Sequence, residues 1–165
     1  RQEKSARSLV GENVLGYIEG TDPKLKDEVV IVTAHYDHLG QSPRCNSSAD
    51  VTAWVGANDN ASGVAVLLEI ARTWQEQGYV PRYTVLFAAW DGAELGLAGS
   101  RHYVEYPRYP LTGTVAMLQL DMIGAGEDTL YLDRRGELTP KLNTIARTLG
   151  LSTEIANLGG SDHDW

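Results

Sequence analysis

Apolar side chains come in dense runs along this chain, and the length of each run decides what it forms. Residues 83–90 are rich in β-branched and aromatic side chains and carry no charge. Such a run predicts a strand buried on both faces. Val29, Val30, Ile31 and Val32 stand in a row within residues 28–35, and residues 115–120 are apolar except for Gln119. Both stretches predict further buried strands. Residues 13–19 alternate well enough for a strand. With residues 28–35 they predict an antiparallel hairpin across the turn chemistry of Gly20, Thr21, Asp22 and Pro23.

The period then changes. Val64, Leu67, Leu68, Ala71 and Trp74 fall at helical spacing, with Asn60 or Ser62 as the cap and Gly78 as the stop. A short helix is expected from Arg101 to about Glu105, ended by Pro107 and Pro110. Residues 129–132 predict a short strand. Thr139 as cap and Pro140 at the first helical position open a last helix through Leu142, Ile145, Ala146 and Leu149, which Gly150 stops. Strands and helices in this order predict an α/β fold on a mixed sheet. Residues 1–12 read as a loose, polar lead-in. Residues 40–55 have no periodicity and read as a long loop, a kind of segment that often carries function.

Composition narrows the picture. The 165 residues suffice for one domain with a real core and are too few for two comfortable ones. The net charge of −8 argues against nucleic acid or an anionic membrane as partner. Cys45 is the only cysteine, so no intrachain disulfide and no thiolate cluster forms. No apolar run reaches membrane-spanning length, and no signal peptide opens the sequence.

Candidate chemistry sits where the runs end. His35 closes the run at 28–35, and Asp121 follows the run at 115–120. Glu94 lies in the Gly-punctuated turn after residues 83–90. Asp59 marks a loop-to-helix junction, and His163 lies in a Gly-rich loop. In open α/β sheets the carboxyl edge of the strands is where sites are built. Taken singly, each of these residues is as well explained by a structural role. Together, two imidazoles and three carboxylates at one edge make a ligand set for borderline divalent metals, zinc above all. With one bridging carboxylate the set serves two ions, which can clamp both oxygens of a tetrahedral intermediate.

Five pieces of the sequence resemble the M28 family of zinc aminopeptidases and carboxypeptidases. They are Ala34-His35-Tyr36-Asp37-His38, the stretch from Gly56 to Gly63, that from Asp91 to Ser100, Leu120-Asp121-Met122-Ile123-Gly124 and Ser161-Asp162-His163. They stand in the family's order and span nearly the whole chain. The resemblance implies a three-layer fold, with a mostly parallel central sheet and helices on both faces. It implies two Zn2+ ions, with Asp59 bridging them. His35 and Asp121 would complete one site, and Glu94 and His163 the other. Asp37 would hold the His35 imidazole in its ligating tautomer. His38 would be a variant position without a ligand role, and His102 a packed or exposed histidine.

Two departures accompany the resemblance. The family places two adjacent glutamates after Asp-Gly, the first as general base and the second as ligand. Here the first is Ala93, which cannot accept a proton. Retention of every other site residue favours an engineered replacement over a natural loss. The family's domain also continues past the ligand His, so residues 1–165 are expected to be a single M28-type domain, incomplete at its C-terminal end.

The implied activity is a zinc exopeptidase in which a metal-bridged hydroxide attacks the first peptide bond. Its substrates would be peptide or protein N-termini, because a negative rim favours a cationic amine over a free carboxylate. Two alternatives are a non-catalytic metal-binding relative that holds a partner, and a glutaminyl-cyclase-like acyl transfer at one metal. The resemblance also implies a periplasmic or extracellular protein.

Overall fold

The structure, a computed structural model, describes residues 10–41, 53–126 and 128–164. Its central sheet is organised around the most apolar run. That run forms β3, Thr84–Trp90, whose side chains are buried on both faces. A strand of this kind needs a hydrogen-bonded neighbour on each edge. The neighbours are β1, Val14–Ile18, which runs antiparallel to it, and β2, Val29–His35, which runs parallel. A fourth strand, β4 at Thr114–Gln119, pairs in parallel with the other edge of β2. The spatial order is therefore β1-β3-β2-β4.

The expected β1–β2 hairpin does not form. After β1 the chain crosses the start of β3, and Gly20 donates its N–H to Thr84 Oγ1 at 3.0 Å. Thr21 and Asp22 then donate to the carbonyls of Pro81 and Arg82. The connection is long enough to carry the chain past β3, so β3 is inserted between β1 and β2. β4 is half-buried rather than fully buried, because β2 is its only strand partner among the described residues.

Side chains of β2 and β3 alternate between two cores. One face packs Val32, Ala34, Val85 and Phe87 against Val64, Leu67, Ile70 and Trp74 of α1, Gly63–Glu76. The other gathers Val29, Ile31, Leu86, Ala88 and Trp90 around Tyr103 of α2, Ala98–Glu105. Helices thus cover both faces of a mostly parallel sheet. Each fully buried aliphatic or aromatic side chain contributes roughly 1.5–3 kcal/mol, so these layers fix the positions of the strand ends.

The remaining elements depart from the sequence pattern in detail. α2 begins before Arg101, because the left-handed residues Gly96 and Leu97 (φ 86° and 58°) end the preceding turn there. Residues 129–133 form β5, Thr129–Asp133, as expected. α3, Thr139–Thr148, starts at Thr139 itself. Thr139 is therefore no cap: its hydroxyl donates to the Asp133 carbonyl at the end of β5. β6, Ser152–Ala156, was not legible from periodicity; it pairs in parallel with β5 to complete a small β-α-β unit. Cys45 and most of the loop at 40–55 lie outside the described residues. Its two ends meet where Trp54 donates its N–H to the Gly40 carbonyl at 2.8 Å.

Candidate metal centre

Parallel pairing brings the strand ends to one edge. His35 stands opposite Trp90 in the β2–β3 register, and Gln119 stands opposite Thr33 across β2–β4. Leu120 donates its N–H to the Thr33 carbonyl at 2.8 Å. Asp121 therefore leaves β4 level with His35, and the turn carrying Ala93 and Glu94 starts beside them.

Asp59 arrives from the irregular turn Ala57–Ser62, which its polar neighbours stitch to the segment after β4. Asn60 Oδ1 accepts the N–H groups of Gly63 and Met122, each at 3.1 Å, and its Nδ2 donates to the Leu120 carbonyl. Asn58 Oδ1 accepts the Gly124 N–H at 2.9 Å, and Ser62 Oγ accepts that of Ile123. Of the two expected caps of α1, Asn60 is the one that takes the Gly63 amide. Gly63 itself is required by close approach, since a Cβ there would collide with the Leu120 carbonyl oxygen. In sequence, Asn60 and Ser62 read as caps and Asp59 as a turn residue. The work of Asn58, Asn60 and Ser62 here is to hold Asp59 and Asp121 in fixed relation.

Two groups of ligand-type atoms result, each with its atoms within 4.8 Å of one another. The first is His35, Asp59 and Asp121. His35 Nε2 lies 3.3 Å from Asp59 Oδ1 and 3.5 Å from Asp121 Oδ1. The second is His38, Asp59 and Glu94. His38 Nδ1 lies 3.1 Å from Glu94 Oε1 and 3.6 Å from Asp59 Oδ2. The two oxygens of Asp59 thus face different groups, the arrangement a bridging carboxylate needs. Nitrogen and oxygen donors in this mixture suit zinc and similar divalent ions.

The supporting contacts orient these donors. His35 is 5% exposed, and its Nδ1 lies 3.1 Å from the Asp37 main-chain carbonyl, which leaves Nε2 for the centre. The Asp37 carboxylate is farther from that ring, at 3.7 Å. It accepts instead the N–H groups of Ala93 at 2.9 Å and Glu94 at 3.1 Å. Asp37 therefore orients His35 through its carbonyl and fixes the 93–94 turn through its side chain. Burial works to lower the pKa of His35, but the hydrogen bond and charge of Asp121 outweigh it and push the ring up to about 9. Burial likewise opposes ionisation of Asp121, yet His35 and Ser161 hold its carboxyl below the ordinary range. Asp162, 1% exposed, is pushed up by burial while Ser100 Oγ donates to it at 2.6 Å.

Of the expected ligands, the structure brings His35, Asp59, Glu94 and Asp121 together. His163 lines the same cavity as these four, with its Nε2 2.8 Å from Asp133 Oδ2 and 2.9 Å from the Leu158 carbonyl oxygen. His38, read from sequence as having no ligand role, stands in the second group. Ala93 lines the same cavity, about 1040 Å³, as His35, Asp59, Glu94 and Asp121. His102 lies on α2, exposed, stacked against Tyr106.

Comparison with known proteins identifies the family. A family model described as Peptidase family M28 matches residues 13–162. Aminopeptidase YwaD of Bacillus subtilis (strain 168) is 32% identical over 170 residues, covering 97% of this chain and 34% of that protein. Leupeptin-inactivating enzyme 1 of Streptomyces exfoliatus is 30% identical over 166 residues, covering 98% and 34%. The solved structure of BSAP, a zinc aminopeptidase from Bacillus subtilis, matches with a TM-score of 0.73 at 32% identity, over 92% of this chain and 36% of that one. The chain spans about a third of the length of these relatives.

Proposed function

The chain belongs to peptidase family M28, and from that membership we propose that it forms the centre of a zinc-dependent exopeptidase acting on peptide and protein N-termini. The observation that carries this reading is the divided carboxylate of Asp59, with Oδ1 toward His35 in the group completed by Asp121 and Oδ2 toward His38 in the group completed by Glu94. His35, Asp59 and Asp121 would hold one zinc ion. Asp59 and Glu94 would hold a second. Zinc bound there supplies a Lewis acid for the scissile carbonyl and lowers the pKa of an attacking water toward neutrality.

The residues of the chain do the rest. Asp59, Glu94 and Asp121 set a negative rim that attracts the ammonium group of a substrate N-terminus and disfavours a C-terminal carboxylate. Asp37 is a positioning residue that aligns His35 and the 93–94 turn. Position 93 faces the cavity from that turn, where the family's general base belongs, and its methyl group moves no proton. We read the described elements as one domain, because Asp162 is joined to Ser100 of α2 and to Gln119 of β4. The family resemblance further suggests an exported protein.

The test is metal content. Folded chain purified without chelator and analysed for elements should carry about two zinc ions at neutral pH. Zinc no higher than background would overturn the reading.

A further inference from the structure

We propose that Asn13 is a positioning residue of the metal centre, its side-chain amide clamping the two ends of the turn that carries Ala93 and Glu94. Where it concerns zinc, the inference rests on the two-ion reading above. Where it concerns the turn, it rests on hydrogen bonds alone.

Strand direction brings Asn13 to the site. The parallel strands β2, β3 and β4 all finish at the edge where His35, Glu94 and Asp121 gather. β1 runs antiparallel to β3, with Val14 opposite Ala89, so β1 starts at the edge where the others finish. Asn13, the residue before it, therefore lies beside the exit of β3. Its Oδ1 accepts the Asp91 N–H at 3.1 Å, and its Nδ2 donates to the Gly99 carbonyl at 2.8 Å. Asp91 opens the turn, and Gly99 lies in the first turn of α2, where the turn ends. An amide suits this post because it offers an acceptor and donors on one uncharged group.

The turn is shaped to receive that amide. A Cβ at Gly99 would collide with the Asp91 carbonyl oxygen and with Asn13 Oδ1, so only glycine lets the two ends and the amide meet. Inside the clamp, Ala98 donates its N–H to the Gly92 carbonyl at 2.9 Å. The Asp37 carboxylate takes the N–H groups of Ala93 and Glu94. Asp37 thus holds the middle of the turn, and Asn13 holds its base.

The residue beside Asn13 extends the tie. Glu12 donates its N–H to Asp91 Oδ2 at 3.0 Å, and its carbonyl accepts the Tyr36 hydroxyl at 2.6 Å. Tyr36 stands between His35 and Asp37. Residues 12 and 13 are therefore bound to both segments that supply His35, Asp37 and Glu94. A turn fixed in this way presents Glu94 before any ion arrives, which limits the ordering entropy of binding.

The experiment compares Asn13→Ala with Thr84→Val in this chain. Thr84 lies at the opposite end of β3, where its hydroxyl donates to the Lys26 carbonyl and accepts the Gly20 N–H. Each variant loses two hydrogen bonds to main-chain groups, so a general loss of stability shows in both. In the metal-free chain, amide hydrogen exchange at Ala93 and Glu94, read by NMR, should speed up roughly 3- to 10-fold in Asn13→Ala, as loss of an ordinary hydrogen bond allows. In Thr84→Val it should stay unchanged. Zn2+ titration by calorimetry follows, with Glu94→Gln marking the step that belongs to the ion beside Glu94. Asn13→Ala should weaken that step by roughly 10-fold, the low end for contacts behind a ligand, and leave the other little changed. Coupling is reciprocal, so in the unmutated chain filling that step should slow exchange of the Asp91 amide, a readout independent of variant folding.

Exchange at Ala93 and Glu94 that Asn13→Ala leaves unchanged, or that Thr84→Val speeds as much, would overturn the clamp and make Asn13 a stabilising residue of the fold alone. An Asp91 amide unmoved by the marked step would overturn its link to the metal centre. If the unmutated chain takes up no second ion while Asn13→Ala still frees the turn, the two-ion reading falls and the clamp stands.

Discussion

The Asp37 carboxylate accepts the main-chain N–H of Ala93 at 2.9 Å. The same carboxylate takes the next N–H, that of Glu94, while the Asp37 carbonyl faces His35 Nδ1. One residue, two positions after the strand end, therefore couples the first donor group to the second. A carboxylate accepting two N–H groups at the start of a turn also satisfies donors the turn cannot.

Replacing Asp37 by Asn should separate these two jobs. The carbonyl toward His35 remains, but the amide side chain offers one acceptor oxygen where the carboxylate offered two. The ion beside Glu94 should weaken by roughly 10- to 100-fold, as for other outer contacts, and the ion beside His35 by less. Stepwise zinc titration reads both. Equal weakening of the two would mean that the carboxylate acts on His35 directly.

Asp59 is the residue common to both groups, so Asp59→Asn should weaken both ions, whereas His35→Ala should chiefly weaken one. The measurement is zinc stoichiometry and affinity for each variant against the parent chain. If Asp59→Asn bound both ions with unchanged affinity, Asp59 would be a turn residue and the map of the centre would be wrong.

What the sequence revealed and what it hid follow from the range of each interaction. β2, β3 and α1 are written in local pattern: unbroken apolar runs and a helical period, so their existence and their ends were legible. The strand ends carry His35, Glu94 and Asp121, which made the edge of the sheet legible too. Pairing is non-local, and the partner of β1 was decided by the route of residues 20–28 over the start of β3. β6 alternates weakly and owes its pairing to α3 and β5. Asn58, Asn60 and Ser62 look like turn formers in sequence, and only the hydrogen bonds to Met122, Ile123 and Gly124 reveal them as the frame of Asp59. The contacts of His163 were hidden for a similar reason. Asp133 and Arg135, which sit beside His163, are far from it in sequence.

The metal-free chain should respond to pH through His35. Burial lowers this ring and the hydrogen bond and charge of Asp121 raise it, with a net result of about 9 against 6.5 for the ordinary group. A folded-state pKa raised above the unfolded one stabilises the fold fully below about pH 6.5, and that contribution is lost as pH rises through about 9. Zinc requires the neutral ring, so a proton must leave on binding. Within that window the affinity of the His35 position should climb by about tenfold per pH unit from this group alone. Calorimetry in buffers of differing ionisation enthalpy measures both affinity and proton release. Affinity that stays flat, with no proton released, would show that His35 is already neutral before the ion binds.

Position 93 is where activity should return. Ala93 lies in the turn that Asp37 fixes, half-buried, with its side chain on the cavity shared by His35, Asp59 and Glu94. Hydrolysis at a peptide bond needs a proton taken from the attacking water and a proton given to the departing amine. A carboxylate can do the first as base and the second as acid; a methyl group does neither. General acid–base catalysis typically contributes roughly 10²–10⁴-fold, or about 3–5.5 kcal/mol of barrier. Ala93→Glu should therefore raise turnover of aminoacyl chromogenic substrates by at least that range while leaving zinc content and substrate binding little changed. Both versions should be assayed with zinc present, in this chain and in one extended to the length of its relatives. Equal rates with zinc confirmed in place would show that position 93 is not the base position, and would favour a protein that binds its partner without cleaving it.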